Sequence, residues 1–374
     1  MFSRRAFLGT SALALAAPRL AWAQADPYVL GALFSMSGPS AEFGRIYMQG
    51  TQLALEHLAA DKWLKRPVVL RVEDSQGLPQ AGAVGITKLI NVDGTIYVLI
   101  GFTGVSKAAA PIAQRSKVIL INGGAVGPDL AGLTPYFWSV IPLANIEVRS
   151  LFPWITQKKL KRVAIVYTDD SGGATAVMKE LQAGLPSAGA EVVGTFSVPL
   201  QAQQFTAVAA SVRQTNPDAV YVSSYGAQQG QIIKQFRDNG VSQQLLSFSA
   251  VNIEPIWKLP EAEGLVFTSQ ATAWDAPDEV TQRFVKDFRA KFGSDPVTYS
   301  QNYYNGVRLF GLLARGLEQA GTPVNGDTMR AELMRVRTFP LVGGKGTFDD
   351  TGTLSMPIQI NQITGGKVVK VGGA

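Results

Sequence analysis

A single histidine, His57, and no cysteine leave this 374-residue chain few side chains that could serve as nucleophile, general base or soft metal ligand. Serine–histidine catalysis and His- or Cys-rich metal sites need more than that. His57 lies in LALEHLAA, one helical turn after Leu53, and reads as the border of a helix's buried stripe. The acidic pairs are Asp169-Asp170, directly after a strand pattern, and Asp349-Asp350, in a turn; acids at such places serve as turn residues or helix caps. No Walker sequence is present. The glycines of SMSGPSAEFG and YTDDSGGATA lack the spacing of a dinucleotide fingerprint, and Pro39 replaces a flexible position. A nucleotide-dependent enzyme is therefore the lesser reading, and neither cofactor nor metal is expected.

What recurs instead is a loop of small polar residues after a strand. SMSGPSAEFG follows the first strand pattern, GFTGVS (101–106) the third, NGGAVG (122–127) the fourth, SSYGAQQG (223–230) one further on, and SFSAVN (247–252) the next. Backbone N–H groups at the helix starts beyond such loops are unpaired and can receive a carboxylate or another acceptor. Taken singly each loop is ordinary turn chemistry; divided between two domains, together they describe a cleft with hydroxyls and one or two aromatic rings.

The elements that must position these loops follow from the alternation of short β-rich runs with helix-period stretches. Strands are predicted at about 28–34, 67–72, 96–101 and 117–122, with helices near 41–60, 79–92 and 105–116. LKRVAIVYTDD restarts the pattern, followed by AEVVGTFSV, DAVYVSS and LLSFS as strands, with helices near 173–187, 204–215 and 226–239. Strict alternation implies parallel sheets with helices on both faces, and ligands at the carboxyl ends of the strands. FWSVIPLANIE (137–147) lies between the two runs as the expected first crossing; helical patterns follow at 278–292 and 300–320, and the tail reads as short strands around turns.

The chain opens MFSRRAFLGTSALALAAPRLAWAQA, an arginine pair, a short apolar stretch and a small-x-small cleavage pattern, which predicts an export signal over 1–23 and resembles the twin-arginine type. Removing 23 of the 374 residues leaves 351, enough for two domains, and takes three arginines from a net charge of +6, leaving +3. So small and even a charge gives no argument for a nucleic-acid partner. An exported chain without cysteine has no disulfide framework and must be held by packed cores.

These stretches together resemble the periplasmic type I solute-binding proteins of ABC transporters, of the leucine/isoleucine/valine-binding type. MSGPSAEFG resembles the family's first loop, VEDSQGLPQAGAVGITKLI its strand, acid and proline before a helix, and PDAVYVSSYGAQQGQIIKQFRDNG the matching unit of the second lobe; GTFDDTG and IQINQITGGKVV resemble its C-terminal strands. The resemblance implies two doubly wound parallel-sheet lobes joined by a three-crossing hinge, 26–142 plus 275–340 forming one and 143–274 plus 341–374 the other. It implies a periplasmic monomer that captures a small amino acid, carboxylate or amide and delivers it to an inner-membrane permease. By position it assigns Phe43 and Tyr225 to cover the ligand from opposite lobes. Gly104, Val105 and Ser106, with Thr103 beside them, and Gly124, Ala125 and Val126 fall where relatives hold a carboxylate.

Three departures stand out. GFTGVSKAAAPIA is two residues shorter than the usual serine-rich loop, Gly172 stands where many relatives have tyrosine, and Ser249 stands where amino-acid binders place the glutamate that pairs with the α-ammonium. A buried ammonium without a carboxylate is costly, so either Glu254 or another acid replaces it, or the ligand has no ammonium. A periplasmic sensor subunit of the same fold and a Rossmann-type oxidoreductase are the alternative readings.

Overall fold

Strands apolar on both faces can be buried only between two layers of helix, and the computed structural model, which describes residues 26–169 and 172–373, builds two such sandwiches. The expected export signal and Asp170 lie outside the described residues. The first sandwich comprises β1 (Tyr28–Phe34), α1 (Ala41–Asp61), β2 (Val68–Asp74), α2 (Pro79–Asn91), β3 (Tyr97–Ile100), α3 (Thr103–Arg115), β4 (Ile119–Asn122) and β5 (Phe137–Ser139). Its strands are all parallel in the order β2-β1-β3-β4-β5. Leu30, Ala32, Phe34 and Leu99 join the core on the α1 face, whereas Leu33, Val98 and Ile100 pack with Ile86 of α2 and Val105 of α3 on the other.

After residues 140–143 the chain enters the second lobe through α4 (Ala144–Arg149) and α5 (Phe152–Gln157). There follow β6 (Arg162–Asp169), α6 (Gly173–Gly184), β7 (Glu191–Pro199), α7 (Thr206–Gln214), β8 (Ala219–Ser223), α8 (Gly226–Asp238), β9 (Gln244–Ser247), α9 (Glu254–Trp257) and β10 (Val266–Gln270). The parallel order β7-β6-β8-β9-β10 repeats the winding of the first sheet. Helices α10 (Glu279–Phe292), α11 (Thr298–Gln319) and α12 (Gly326–Val336) then return to the first lobe, where α11 lies along α1. His57 ties these helices together: its Nδ1 lies 2.7 Å from the Tyr304 hydroxyl and its Nε2 3.1 Å from Asp287, and burial, helped by Arg283, lowers its pKa.

The two-sheet architecture and most of its elements agree with the sequence pattern, which lacks the helices α4, α5, α9 and α12; three further details differ. The short strands β5 and β10 were not expected, because three to five residues of apolar chain carry too little periodicity. α3 starts at Thr103, two residues before the predicted helix, because Phe102 at φ +64 turns the chain sharply into it. The last return to the second lobe comes after residue 355. A small antiparallel sheet of β11 (Thr338–Leu341), β12 (Gly344–Phe348) and β13 (Leu354–Ser355) stays beside the first lobe, with Phe348 edge-on to Trp138 at 5.3 Å and Thr353 bridged to Ser139. Only β14 (Ile358–Thr364) and β15 (Lys367–Gly373) cross back, extending the second sheet with β14 antiparallel to β10 and β15 antiparallel to β14.

Candidate functional site

The loop after β1 is fixed largely by Asp74, at the end of β2. Its carboxylate accepts the N–H of Met36 (2.9 Å), the N–H of Gln76 (2.8 Å) and the hydroxyl of Ser37 (2.5 Å). Burial alone would raise the pKa of this group, yet the bonds from Ser37, Gln76 and Met36 bring it below the usual value. Ser35 donates to the Ser37 carbonyl. Two of the serines in SMSGPSAEFG and its approach are thus spent on loop structure, while Ser40, the N-cap residue of α1, makes no side-chain cap bond and faces a cavity.

That cavity, about 360 Å³, lies between the lobes and is walled by the loops at the carboxyl ends of both sheets, the place such folds reserve for ligands. The first lobe contributes the segments 38–40, 76–79, 102–104 and 124–126, with Phe43 and Tyr47 of α1 and Tyr299 of α11. The second lobe contributes Asp169, Gly172, Leu200, Gln201, Tyr225 and Phe248. Six aromatic rings meet here. Phe43 stands edge-on to Phe102 (6.0 Å) and Tyr299 (5.3 Å), and Tyr225 edge-on to Phe102 (6.4 Å) and Phe248 (6.1 Å), so one aromatic chain crosses the lobe boundary. Among the described residues Asp169 is the only charged side chain on the wall, and it is exposed.

The lobes touch at two glycines. A Cβ on Gly172 would lie 2.6 Å from the Cβ of Thr103, and one on Gly226, whose φ is +53, would lie 2.8 Å from the carbonyl of Pro39. Behind the wall, Gln228 bonds the carbonyls of Pro199, Leu200 and Ala202 at 2.8 to 3.1 Å and so shapes the loop that presents Leu200 and Gln201.

Of the ten residues expected from sequence, Phe43, Thr103, Gly104, Gly124, Ala125, Val126 and Tyr225 are brought together on this wall. Their polar groups are not all at its disposal. The N–H groups of Gly124 and Ala125 turn to Asn122 Oδ1 at 3.1 and 2.7 Å, while the Asn122 amide donates to the Ala125 carbonyl and Ser139. What remains for a guest are the first N–H groups of α3, which have no intrahelical partner, and the Thr103 hydroxyl. That hydroxyl accepts the Gly127 N–H at 3.1 Å and keeps its own proton to donate.

Val105, Ser106 and Ser249 are not on the wall. Val105 packs into the α2–α3 core, and Ser106 is fully buried one turn behind Thr103, its hydroxyl without a partner among the described residues. Ser249 faces Glu147 of α4: its N–H donates to Oε1 at 2.7 Å, its Oγ lies 3.1 Å from Oε2, and the same Oγ lies 3.2 Å from the Tyr299 hydroxyl. Burial pushes the Glu147 carboxyl up to about 8, against the opposing pull of the two Ser249 bonds.

Sequence reading missed Tyr47, Phe102, Phe248, Tyr299 and Glu147. Tyr47 was within reach, since it follows Phe43 by one helical turn on the same face. The others sit at element ends whose orientation only the fold defines.

Comparison with known proteins agrees with this architecture. A family model described as periplasmic binding protein matches residues 27–367. The Leu/Ile/Val-binding protein BraC3 of Rhizobium johnstonii is 24% identical over 352 residues, covering 91% of this chain and 92% of its own. Among solved structures, an ABC-transporter solute-binding protein of R. palustris in complex with benzoate superposes with a TM-score of 0.84 at 18% identity, covering 93% of this chain and 96% of that one. The branched-chain amino acid transporter substrate-binding protein LivJ of Streptococcus pneumoniae, in complex with isoleucine, gives 0.82 at 21% identity, covering 92% and 100%. Both solved structures share the type I two-lobed α/β fold with this chain.

Proposed function

The chain belongs to the periplasmic binding protein family, and from that premise we propose that it is the exported solute-binding component of an ABC transporter. It captures a small organic acid between its lobes, closes on it as a hinge, and hands it unaltered to a membrane permease. The observation that carries this reading is the inter-lobe cavity itself: six aromatic rings around about 360 Å³ and no cationic side chain among the described wall residues. Its anion-binding elements are the α3 N-terminus and Thr103. A helix N-terminus holds a carboxylate through backbone N–H groups and the helix dipole, and aromatic walls match a flat or branched apolar body.

The family includes binders of branched-chain amino acids, and the structural neighbours include a benzoate complex. For this chain the aromatic carboxylate is favoured: the one acid on the described wall, Asp169, is exposed to solvent, and the acid behind Ser249, Glu147, is buried away from the wall with its pKa pushed up to about 8. A thermal-shift panel of benzoate, 4-hydroxybenzoate, leucine and isoleucine tests it. A guest at a hundredfold over its Kd adds about 2.7 kcal/mol of stability. Benzoates that shift the midpoint while leucine and isoleucine do not support the reading; the reverse overturns the choice of ligand, and no response from any member overturns solute capture as drawn.

A further inference from the structure

The structure links the cavity wall to a buried acid through a chain of three side chains contributed by both lobes. Tyr299 begins α11 in the first lobe and lines the cavity; Ser249 follows β9 in the second; Glu147 sits on α4, just past the first crossing between lobes. The Tyr299 hydroxyl donates to Ser249 Oγ at 3.2 Å and Ser249 Oγ donates to Glu147 Oε2 at 3.1 Å, the direction an ionised carboxylate imposes, while Oε1 accepts the Ser249 N–H at 2.7 Å. All three residues are at most 2% exposed.

Each hydroxyl in such a chain carries one proton, so the direction of the whole chain is set at its end. With Glu147 ionised, Ser249 donates to it, Tyr299 donates to Ser249, and the phenol has only lone pairs left. With a proton on Oε2, Glu147 donates to Ser249, Ser249 donates to Tyr299, and the phenol has its O–H left. We infer that this chain sets the hydrogen-bond polarity of the cavity: with the proton on Glu147, Tyr299 presents a donor to the guest, which selects a carboxylate or carbonyl and rejects an ammonium. The inference rests on the cavity's being the solute site.

The surroundings of Glu147 favour the protonated state. Ser249 is its only hydrogen-bond partner among the described residues, and no cation acts on it. The titratable groups that feel its charge are Tyr221 of β8 and Tyr299 of α11, both raised by burial first and by Glu147 second. Tyr221 is fully buried, and its hydroxyl has no partner among the described residues. Helix α6, packed against α4, carries Lys179 and Glu180; Glu180 is held by Arg149 at the surface. Strand β10 brings no titratable side chain to α4.

The test uses the intact protein with benzoate and leucine as probes, and the variants Glu147→Gln and Tyr299→Phe. Glutamine keeps the acceptor for the Ser249 N–H and donates permanently to Ser249 Oγ, fixing the chain in its donor-outward direction. For the unaltered protein the benzoate Kd should be constant from pH 6 to 7 and rise at least about tenfold by pH 9.5, the loss expected when a hydrogen bond to a charged group is withdrawn. In Glu147→Gln it should stay level over that range, and in Tyr299→Phe it should be weaker and level. Infrared difference spectra between unaltered protein and Glu147→Gln give a readout without ligand: a protonated-carboxyl band at pH 7 that disappears above pH 9.

A missing band, or a benzoate pH profile unchanged in Glu147→Gln, overturns the inference while leaving solute capture intact. Leucine bound more tightly than benzoate at pH 7 with the band present also overturns it. Binding of no member of the four-compound panel overturns the capture reading, and this inference with it.

Discussion

Gly172 of the second lobe faces Thr103 of the first so closely that a β-carbon on it would stand 2.6 Å from the Thr103 Cβ and 3.2 Å from the Gly104 nitrogen. The contact joins the start of α6 to the first turn of α3, the turn whose N–H groups line the cavity. A methyl group there finds no room while the lobes touch, and separating the lobes relieves it.

Gly172→Ala should therefore weaken guest binding and spare the free protein. Overpacking of this kind costs about 1–3 kcal/mol, and if that falls on the closed arrangement the Kd rises about 5- to 150-fold. Calorimetric titration with benzoate, beside the unfolding midpoint without ligand, checks it. A lowered midpoint with unchanged Kd would mean that the contact serves folding and not closure.

The two aromatic residues expected to cover the guest should behave differently from each other. Phe43 is 2% exposed and packs on Tyr47, Phe102 and Tyr299, so Phe43→Ala should lower stability by about 3–5 kcal/mol as well as weaken binding. Tyr225 is half-buried at the lobe boundary, so Tyr225→Ala should cost binding with little change in stability. Urea denaturation and titration of both variants separate the two effects.

Much of this was legible in the sequence because periodicity speaks to layers. Alternation of strand and helix implied parallel sheets, and small polar loops after strands implied a rim. SMSGPSAEFG shows where that reading stops: its hydroxyls look alike in sequence, yet Ser37 is bound to Asp74 from another strand while Ser40 faces the cavity. Ser249 shows it again. The resemblance put it where relatives carry a glutamate for a guest's ammonium, but in the fold Ser249 turns to Glu147, 102 residues away on a six-residue helix. Pairings of this sort depend on how the lobes meet, and no local pattern records that.

Asn122 is expected to hold the turn at Gly124 and Ala125. One carboxamide accepts the N–H groups of Gly124 and Ala125 and donates to Ser139 and the Ala125 carbonyl. Asn122→Ala leaves buried backbone groups without partners, each worth about 1–3 kcal/mol. Amide exchange at Gly124 and Ala125 should accelerate, the denaturation midpoint should fall, and benzoate affinity should fall with it. Exchange no faster than in the unaltered protein would show that another group fixes the loop.

Glu147 should make stability fall as pH rises through the neutral range. Its carboxyl has an ordinary value of 4.5 and stands at about 8 in the fold, with burial as the main cause. Between those values the folded state keeps a proton that the unfolded chain has released, so unfolding is accompanied by proton loss and is promoted by alkali. The contribution is whole below pH 4.5, is lost progressively as pH climbs to about 8, and changes by at most about 1.4 kcal/mol per unit. Other carboxylates titrate in the lower part of the window, so the useful quantity is the unfolding free energy of unaltered protein minus that of Glu147→Gln, measured in urea from pH 5 to 8.5. That difference should decline with pH and level off above 8. A difference that stays constant would mean an ordinary, ionised glutamate, and with it a cavity phenol whose proton points away from the guest.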